Sequence, residues 1–264
     1  MKQNDYVKEL EKRIEELEKA NIALHEKSFV VREGDTVSVP KEIKPIFDVA
    51  QKTVGEYFQR LRTNPAKATI DIDGQRYLLI RASALSYDFL KTIKNLYANR
   101  GEEEAFAIGK NFLFDIAHVI GMEDAKNFHK KMNLTDPIAK LSAGPVHFAY
   151  TGWAYVDILP ESSPTPDNNY FLIYNHPFSF EANSWMEAGQ KTNVPVCIMN
   201  SGYSSGWCEE SFGLPLTAVE ISCKAKGDDN CTFIMAPPHR IKDHVKKHLK
   251  KKDIKVIVVG NADH

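Results

Sequence analysis

The chain of 264 residues contains no uninterrupted apolar run of ~18 residues, and Met1 is followed by charged and polar residues with no apolar signal core. The first absence argues against a transmembrane helix and the second against secretion, so the sequence predicts a cytoplasmic protein with no membrane span. Charge of one sign is also lacking. A formal net charge of −1 supplies no field that would draw in nucleic acid or a membrane surface. No Gly-rich phosphate loop, serine elbow, paired-carboxylate signature or nucleotide fingerprint is present, so catalysis is not expected. Cysteine is scarce: there are 4, and all of them fall between Pro195 and Cys231. Disulfides are rare in a reducing compartment, which leaves a metal, inert buried thiols or a reactive nucleophile.

What is present suffices for a folded core, with 43% hydrophobic and 26% charged residues. Val7, Leu10, Ile14, Leu17, Asn21 and Leu24 fall at alternating steps of three and four, the a and d positions of a heptad. Val and Ile at a, Leu at d and one Asn at a predict a parallel two-stranded coiled coil over residues 1–28, hence a homodimer. The alternative is one amphipathic helix lying on the domain. Residues 29–143 read as a mostly helical subdomain. It includes a helix from Ile46 to Leu61, a hairpin around Asp73-Gly74, and helices over 85–96 and 106–121. Gly121 reads as a helix C′ residue, with a shorter helix from Met122 to Met132.

From Gly144 the character changes. The aromatic-rich stretch "GPVHFAYTGWAYVDILP" reads as a strand. Its alternation places His147, Trp153 and Tyr155 on one face and Phe148 and Tyr150 on the other. "YFLIY" reads as a second strand, Ser179 to Gly189 and Val196 to Phe212 as helices, and "LTAVEISCKAKGDDNCTFIMAP" as a closing hairpin. The fold class expected is α+β: a short coiled-coil helix, a helical N-terminal half, and an antiparallel sheet with helices over 144–238. Residues 239–264 form a basic helix and tail. His244 and His248 lie among its lysines and read as part of a solvated face.

Cys223 and Cys231 flank the turn of the closing hairpin, Cys197 precedes a helix, and Glu220 lies three residues before Cys223. An ideal strand turns Glu220 and Cys223 to opposite faces, so joint ligation requires a bulge or the strand end between them. Three thiolates and a carboxylate suit tetrahedral zinc; buried inert thiols remain the competing reading.

The run Pro195-Val196-Cys197, Gly202 to Trp207, Glu220-Ile221-Ser222-Cys223 and Gly227 to Cys231 resembles the vinyl-4-reductase-type ligand-binding domain. In particular it is similar to the sensory domain of the phenol- and xylene-responsive transcriptional activators. The resemblance covers residues 40 to 238. It implies a structural zinc held by Cys197, Glu220, Cys223 and Cys231, with Cys208 a buried spectator. It also implies an apolar pocket in which a small aromatic is enclosed and its hydroxyl is held by a His and a Trp. His147 takes the place of that His, and His176 stands where the family has Trp.

Two imidazoles would make the pocket more polar and favour an anion or an altered hydrogen-bonding pattern. Trp153, Tyr155, Phe178, Trp185, Tyr203 and Trp207 supply the aromatic lining, with ordinary core as their other reading. The activators continue into an ATPase and a DNA-binding domain; neither follows here, which predicts a separate output protein and no direct nucleic-acid binding. The leading expectation is thus a zinc-stabilised sensor of a small aromatic compound. Its rivals are an assembly module with a structural zinc and an accessory factor in tetrapyrrole reduction.

Removing residues 1 to 28 is expected to weaken or abolish the dimer, because the heptad seam goes with them. Light scattering that shows an unchanged dimer after the deletion would move the interface elsewhere.

Overall fold

The structure, a computed structural model, describes residues 12–16 and 34–249. The coiled-coil reading, apart from a helical stretch at 12–16, and the end of the basic tail lie outside the described residues. Strand β1 (Val37–Ser38) is followed by helix α1 (Lys44–Phe58). Among the described residues the chain divides into two units, one holding Val54–Leu79 and the other Thr36–Thr53 with residues 80–249.

The smaller unit contains an antiparallel sheet of β2 (Leu61–Asn64), β3 (Thr69–Ile72) and β4 (Gln75–Tyr77). Asp73 and Gly74 take φ of 51° and 82°, the left-handed pair of a type I′ turn, as the Asp-Gly signal predicts. The Tyr57 hydroxyl lies 3.2 Å from that of Tyr77 and donates to the Ile72 carbonyl at 3.4 Å.

The larger unit contains α2 (Tyr87–Leu96), α3 (Glu102–Lys131), α4 (Pro137–Tyr150), β5 (Ala154–Ile158) and β6 (Leu172–Ser179). They are followed by α5 (Phe180–Glu187), α6 (Ile198–Phe212), β7 (Thr217–Ser222), β8 (Cys231–Ala236) and α7 (Pro238–Leu249). The sheet order is β1-β5-β6-β8-β7. All its pairings are antiparallel except β1 with β5, so the sheet is mixed and not wholly antiparallel. β6 and β8 are in register with Leu172 opposite Met235, Tyr174 opposite Phe233, and His176 opposite Cys231. Ile173 and Ile234 point to the other face, where they pack on Ile241 and Val245 of α7. Both faces of the central strands are therefore covered, which explains why "FLIY" and "FIMA" are continuous apolar runs.

Two sequence expectations are corrected. The stretch read as one strand from Gly144 to Asp157 is the second half of α4, a turn, and β5. Asp136 caps α4 by accepting from Ala139 N at 2.8 Å, and Pro137 sits in its first turn. The helix ends where Gly152 takes φ 79°, with Gly152 N donating to Ala149 O and Trp153 N to Phe148 O. That pairing is a Schellman motif, and it breaks the alternation that composition alone suggests. His147 and Phe148 are thus adjacent on a helix, not opposed across a strand.

The second correction concerns Gly121, which does not end a helix; α3 runs through it to Lys131. A side chain at Gly121 would strike the Tyr203 carbonyl of α6. In the same contact Gly202 meets the Phe114 carbonyl and Gly206 the His118 carbonyl. These glycines let the two backbones touch, and that packing offsets the ~1 kcal/mol helix penalty of each.

α3 has the length and mean hydropathy of a membrane-crossing helix, yet Leu113, Phe114, Ala117, Ala125 and Phe128 are buried within this unit. Three glutamates in its first turn and Lys130 and Lys131 in its last complement the helix dipole. Phe112, Ile116 and Val119 remain exposed on its other side.

Gly206→Ala is expected to destabilise the protein by about 2 kcal/mol, because the added methyl meets backbone on α3 and not a mobile side chain. An unchanged midpoint in urea denaturation would show that α3 and α6 can separate at no cost.

Candidate metal centre and the adjoining chamber

The N-terminus of α6 is where the site is assembled. A helix start leaves four N–H groups without intrahelical partners. Here Cys197 N donates to Glu220 Oε2 at 2.8 Å, while Ile198 N and Met199 N both donate to Glu181 Oε1 at 2.9 Å. Asn200 N donates to Glu181 Oε2 at 2.9 Å. Two buried carboxyl groups from different elements thus satisfy one helix end, and its N–H groups oppose the rise, to about 8, that burial imposes on Glu181. Ser179, which caps α5, lies with its Oγ 3.2 Å from Cys197 Sγ and accepts from Asn200 Nδ2 at 2.8 Å.

Around this end, one donor atom each of Cys197, Glu220, Cys223 and Cys231 lies within 4.8 Å of the others, and all four residues are buried. The obstacle to joint ligation is removed as anticipated. A register shift between Glu220 and Ser222 interrupts the alternation, and Cys223 lies just past the end of β7. Cys197 Sγ is 3.6 Å from Cys231 Sγ, and Lys224 N donates to Cys231 Sγ at 3.4 Å.

Burial pushes the Cys197 thiol and the Glu220 carboxyl up, whereas hydrogen bonds from the Cys197 and Cys231 thiols hold Cys223 down as the thiolate. Glu220 Oε1 is buried with no hydrogen-bond partner among the described residues. A buried carboxylate oxygen left over beside three converging thiols fits a metal ion, and these four residues can hold one. Burial lowers Lys110 on α3 to about 8, opposed by the negative charge of Glu220, which places a basic group within electrostatic reach of the cluster.

The same face of the sheet forms an apolar chamber. A cavity of about 30 Å³ lies between Leu141, Pro145 and Phe148 of α4, Tyr203 and Trp207 of α6, and the sheet. Val156, Leu172, Tyr174 and Met235 supply the sheet wall. Phe148 stacks on Tyr203 at 4.8 Å and on Trp153 at 5.5 Å between ring centroids. Gly144 admits the Trp207 indole, because a Cβ there would meet the ring at 2.7 Å.

Of the residues predicted to form the pocket, Tyr203 and Trp207 line the cavity, and Trp153, His147 and His176 belong to the surrounding aromatic cluster. His147 is buried, and its Nδ1 lies 3.0 Å from the Tyr203 hydroxyl, which donates to Asp124 Oδ2 at 3.0 Å. His176 sits between Phe148, Tyr174 and Phe233. Tyr155, Phe178 and Trp185 are not brought to the cavity. Phe178 is 65% exposed and meets Tyr155 edge-on, and Trp185 packs on Tyr87.

Burial lowers both His147 and His176 to about 3, so neither gains charge near neutrality. Of the two expectations for paired imidazoles, an anion or an altered hydrogen-bonding pattern, this burial favours the second. Residues not anticipated from sequence include Phe148 and Tyr174 in the cavity wall. Asp124 was also missed; burial raises it to about 6 against the Tyr203 hydrogen bond. Cys208 lines the cavity, and burial raises its thiol to about 12. A tyrosine alternating with a histidine in "YNHP" was the available signal for Tyr174.

The apolar chamber thus lies between helices and one face of a mixed sheet, with a few polar groups around its wall. A family model described as activator of aromatic catabolism matches residues 57–161. Over 204 residues, 76% of this chain, the sequence is 26% identical to the phenol regulator MopR of Acinetobacter guillouiae, and the match spans 35% of that protein. The fold is similar to the crystal structure of the phenol-responsive sensory domain of the transcription activator PoxR with phenol. That match has a TM-score of 0.63 at 18% identity and covers 81% of this chain and 100% of that one. The chain thus resembles the sensory domain of the phenol-responsive regulators in sequence and in fold. Its relatives are regulators and not enzymes.

Purified protein is expected to carry about one metal ion per chain. Cys223→Ala should lose the ion and much of the stability, and Cys208→Ala should keep the ion. Elemental analysis of folded, reduced protein that finds no metal would refute the site.

Proposed function

We propose that the chain is a sensory module for a small aromatic compound, bound in the chamber between α4, α6 and the sheet. The observation that carries this reading is a cavity with an almost wholly apolar wall beside a buried polar relay. The resemblance to phenol-responsive regulators supports it. The ion of the adjoining cluster is read as zinc, since three thiolates and one carboxylate suit its tetrahedral preference. Four protein ligands leave no position for water, so its role is structural.

A homodimer in the cytoplasm is the expected assembly, with the ligand signal passed to an output element. The cavity is smaller than the ~150 Å³ that accommodates a benzene ring, so binding requires its lining side chains to move. That requirement gives the ligand differential affinity for a second arrangement of the chamber, which is the physical condition for signalling.

A thermal-shift screen with small phenols, aromatic acids, isoprenoids and tetrapyrroles tests the reading. Phenols should stabilise the protein saturably, by ~1–3 kcal/mol at ten to a hundred times the dissociation constant. Stabilisation by aromatic acids alone would contradict the neutral pocket, and stabilisation only by tetrapyrroles would favour the accessory-factor reading. No shift with any compound would leave the sensor reading without its ligand.

A further inference from the structure

The reading of the chamber as a ligand site leaves open which group recognises the polar end of the ligand, and the polar atoms around the cavity decide it. Tyr203 lines the cavity, but its hydroxyl already donates to Asp124 and meets His147 Nδ1 at 3.0 Å. Trp207 Nε1 donates to the Lys140 carbonyl at 3.0 Å. Tyr174 differs. It also lines the cavity and is 2% exposed, yet its hydroxyl is buried with no hydrogen-bond partner among the described residues.

An orphaned buried hydroxyl costs about 1–3 kcal/mol and is rare in native structures, so it marks a missing partner. Two further features surround it. Ser204, which also lines the cavity, acts on the Tyr174 phenol as a marginal hydrogen-bonding neighbour, at a geometry that does not satisfy the buried hydroxyl. His176, two residues along β6, has its ring centroid 5.2 Å from that of Tyr174, and both its nitrogens are likewise buried without partners.

We propose that the Tyr174 hydroxyl, rather than His147, reads the polar group of the ligand, and that this ligand is a neutral aromatic bearing a hydroxyl. The proposal rests on the chamber being the ligand site. A phenolic hydroxyl both donates and accepts, so it pairs with another hydroxyl in either sense. No lysine or arginine lines the cavity among the described residues, so a carboxylate would be buried without a counter-charge. Burial holds the Tyr174 phenol far above its ordinary value, which keeps it a donor.

Titration calorimetry of the full chain with phenol and with benzene separates the possibilities. Tyr174→Phe removes the hydroxyl and keeps the ring. Phenol affinity is expected to fall about tenfold while benzene affinity changes less than about twofold. His147→Gln is expected to shift both ligands alike, through Tyr203. Metal content and unfolding midpoint establish that each variant is folded, and Tyr174→Leu takes the place of the Phe variant if that one loses its metal. Unchanged phenol affinity in the Tyr174 variant, or equal loss for both ligands, would overturn the assignment while leaving the chamber as the ligand site. If the wild-type chain binds neither compound, the ligand reading fails and this assignment with it.

Discussion

The four unpaired N–H groups at the start of α6 are the constraint on which the larger unit depends. Left buried without acceptors, each would cost a desolvation penalty comparable to a lost hydrogen bond. Glu181 of α5 takes three and Glu220 of β7 takes one. Both carboxyl groups are themselves buried, and burial raises both, Glu181 to about 8, so the helix N–H groups supply hydrogen bonds that these buried polar groups need in turn. Each group therefore makes the other affordable. The result is that one helix end is fixed simultaneously to α5 and to the closing hairpin.

Fixing that end fixes the chamber. α6 lies against α3 by backbone contact at Gly121, Gly202 and Gly206, leaving no slack for the helix to rotate. Its remaining face presents Tyr203, Trp207 and Cys208 to the cavity. The opposite wall is set by the register of β6 and β8, which places His176 with Cys231, Tyr174 with Phe233, and Leu172 with Met235 on one face. The Cys/Glu cluster and the cavity are therefore successive positions along the same strands. An ion held by the cluster would join Cys197 to Cys231 and set the separation of the helix wall and the sheet wall. Its binding free energy would contribute to folding, in the manner of structural zinc in small domains. Catalysis is not needed to explain such an ion.

The buried cluster of three cysteines and a glutamate was legible in the sequence because Glu220, Cys223 and Cys231 are close in the chain and flank a recognisable hairpin. The intervals from Glu220 to Cys223 and from Cys223 to Cys231 carry the chemistry, and the structure supplies the register shift that the intervals require. The polar wall of the cavity was not legible. Its members lie on α3, α4, α6 and β6, and their relation is fixed by tertiary packing, which leaves no periodic trace. The misreading of residues 144–150 has a definite cause. Pro145 within a helix and a run of aromatic residues both favour an extended assignment, but the Asp136 cap, Pro137 and the Gly152 terminus outweigh them. Gly121 was read as a stop for the same kind of reason: a glycine required by a neighbouring backbone looks, in sequence, like one required by a turn.

The consequence reaches the reading of His147. On a strand beside Trp153, its imidazole would be available to a ligand; on α4 it is buried and shares a hydrogen bond with Tyr203. Tyr203 in turn gives its proton to Asp124 on α3, so the chain Asp124, Tyr203, His147 ties three helices together through one hydroxyl. Removing the imidazole would leave part of that chain unsatisfied and let Tyr203 shift in the cavity wall. An effect of His147 on ligand affinity is therefore expected even though its Nδ1 is committed to Tyr203. Loss of affinity on substitution does not by itself identify the group that reads the ligand, because a residue that positions the wall and a residue that bonds the guest produce the same loss. Only the dependence on the ligand's own hydroxyl separates them. That dependence should follow Tyr174, the cavity-lining side chain whose hydrogen-bonding capacity the fold leaves unused.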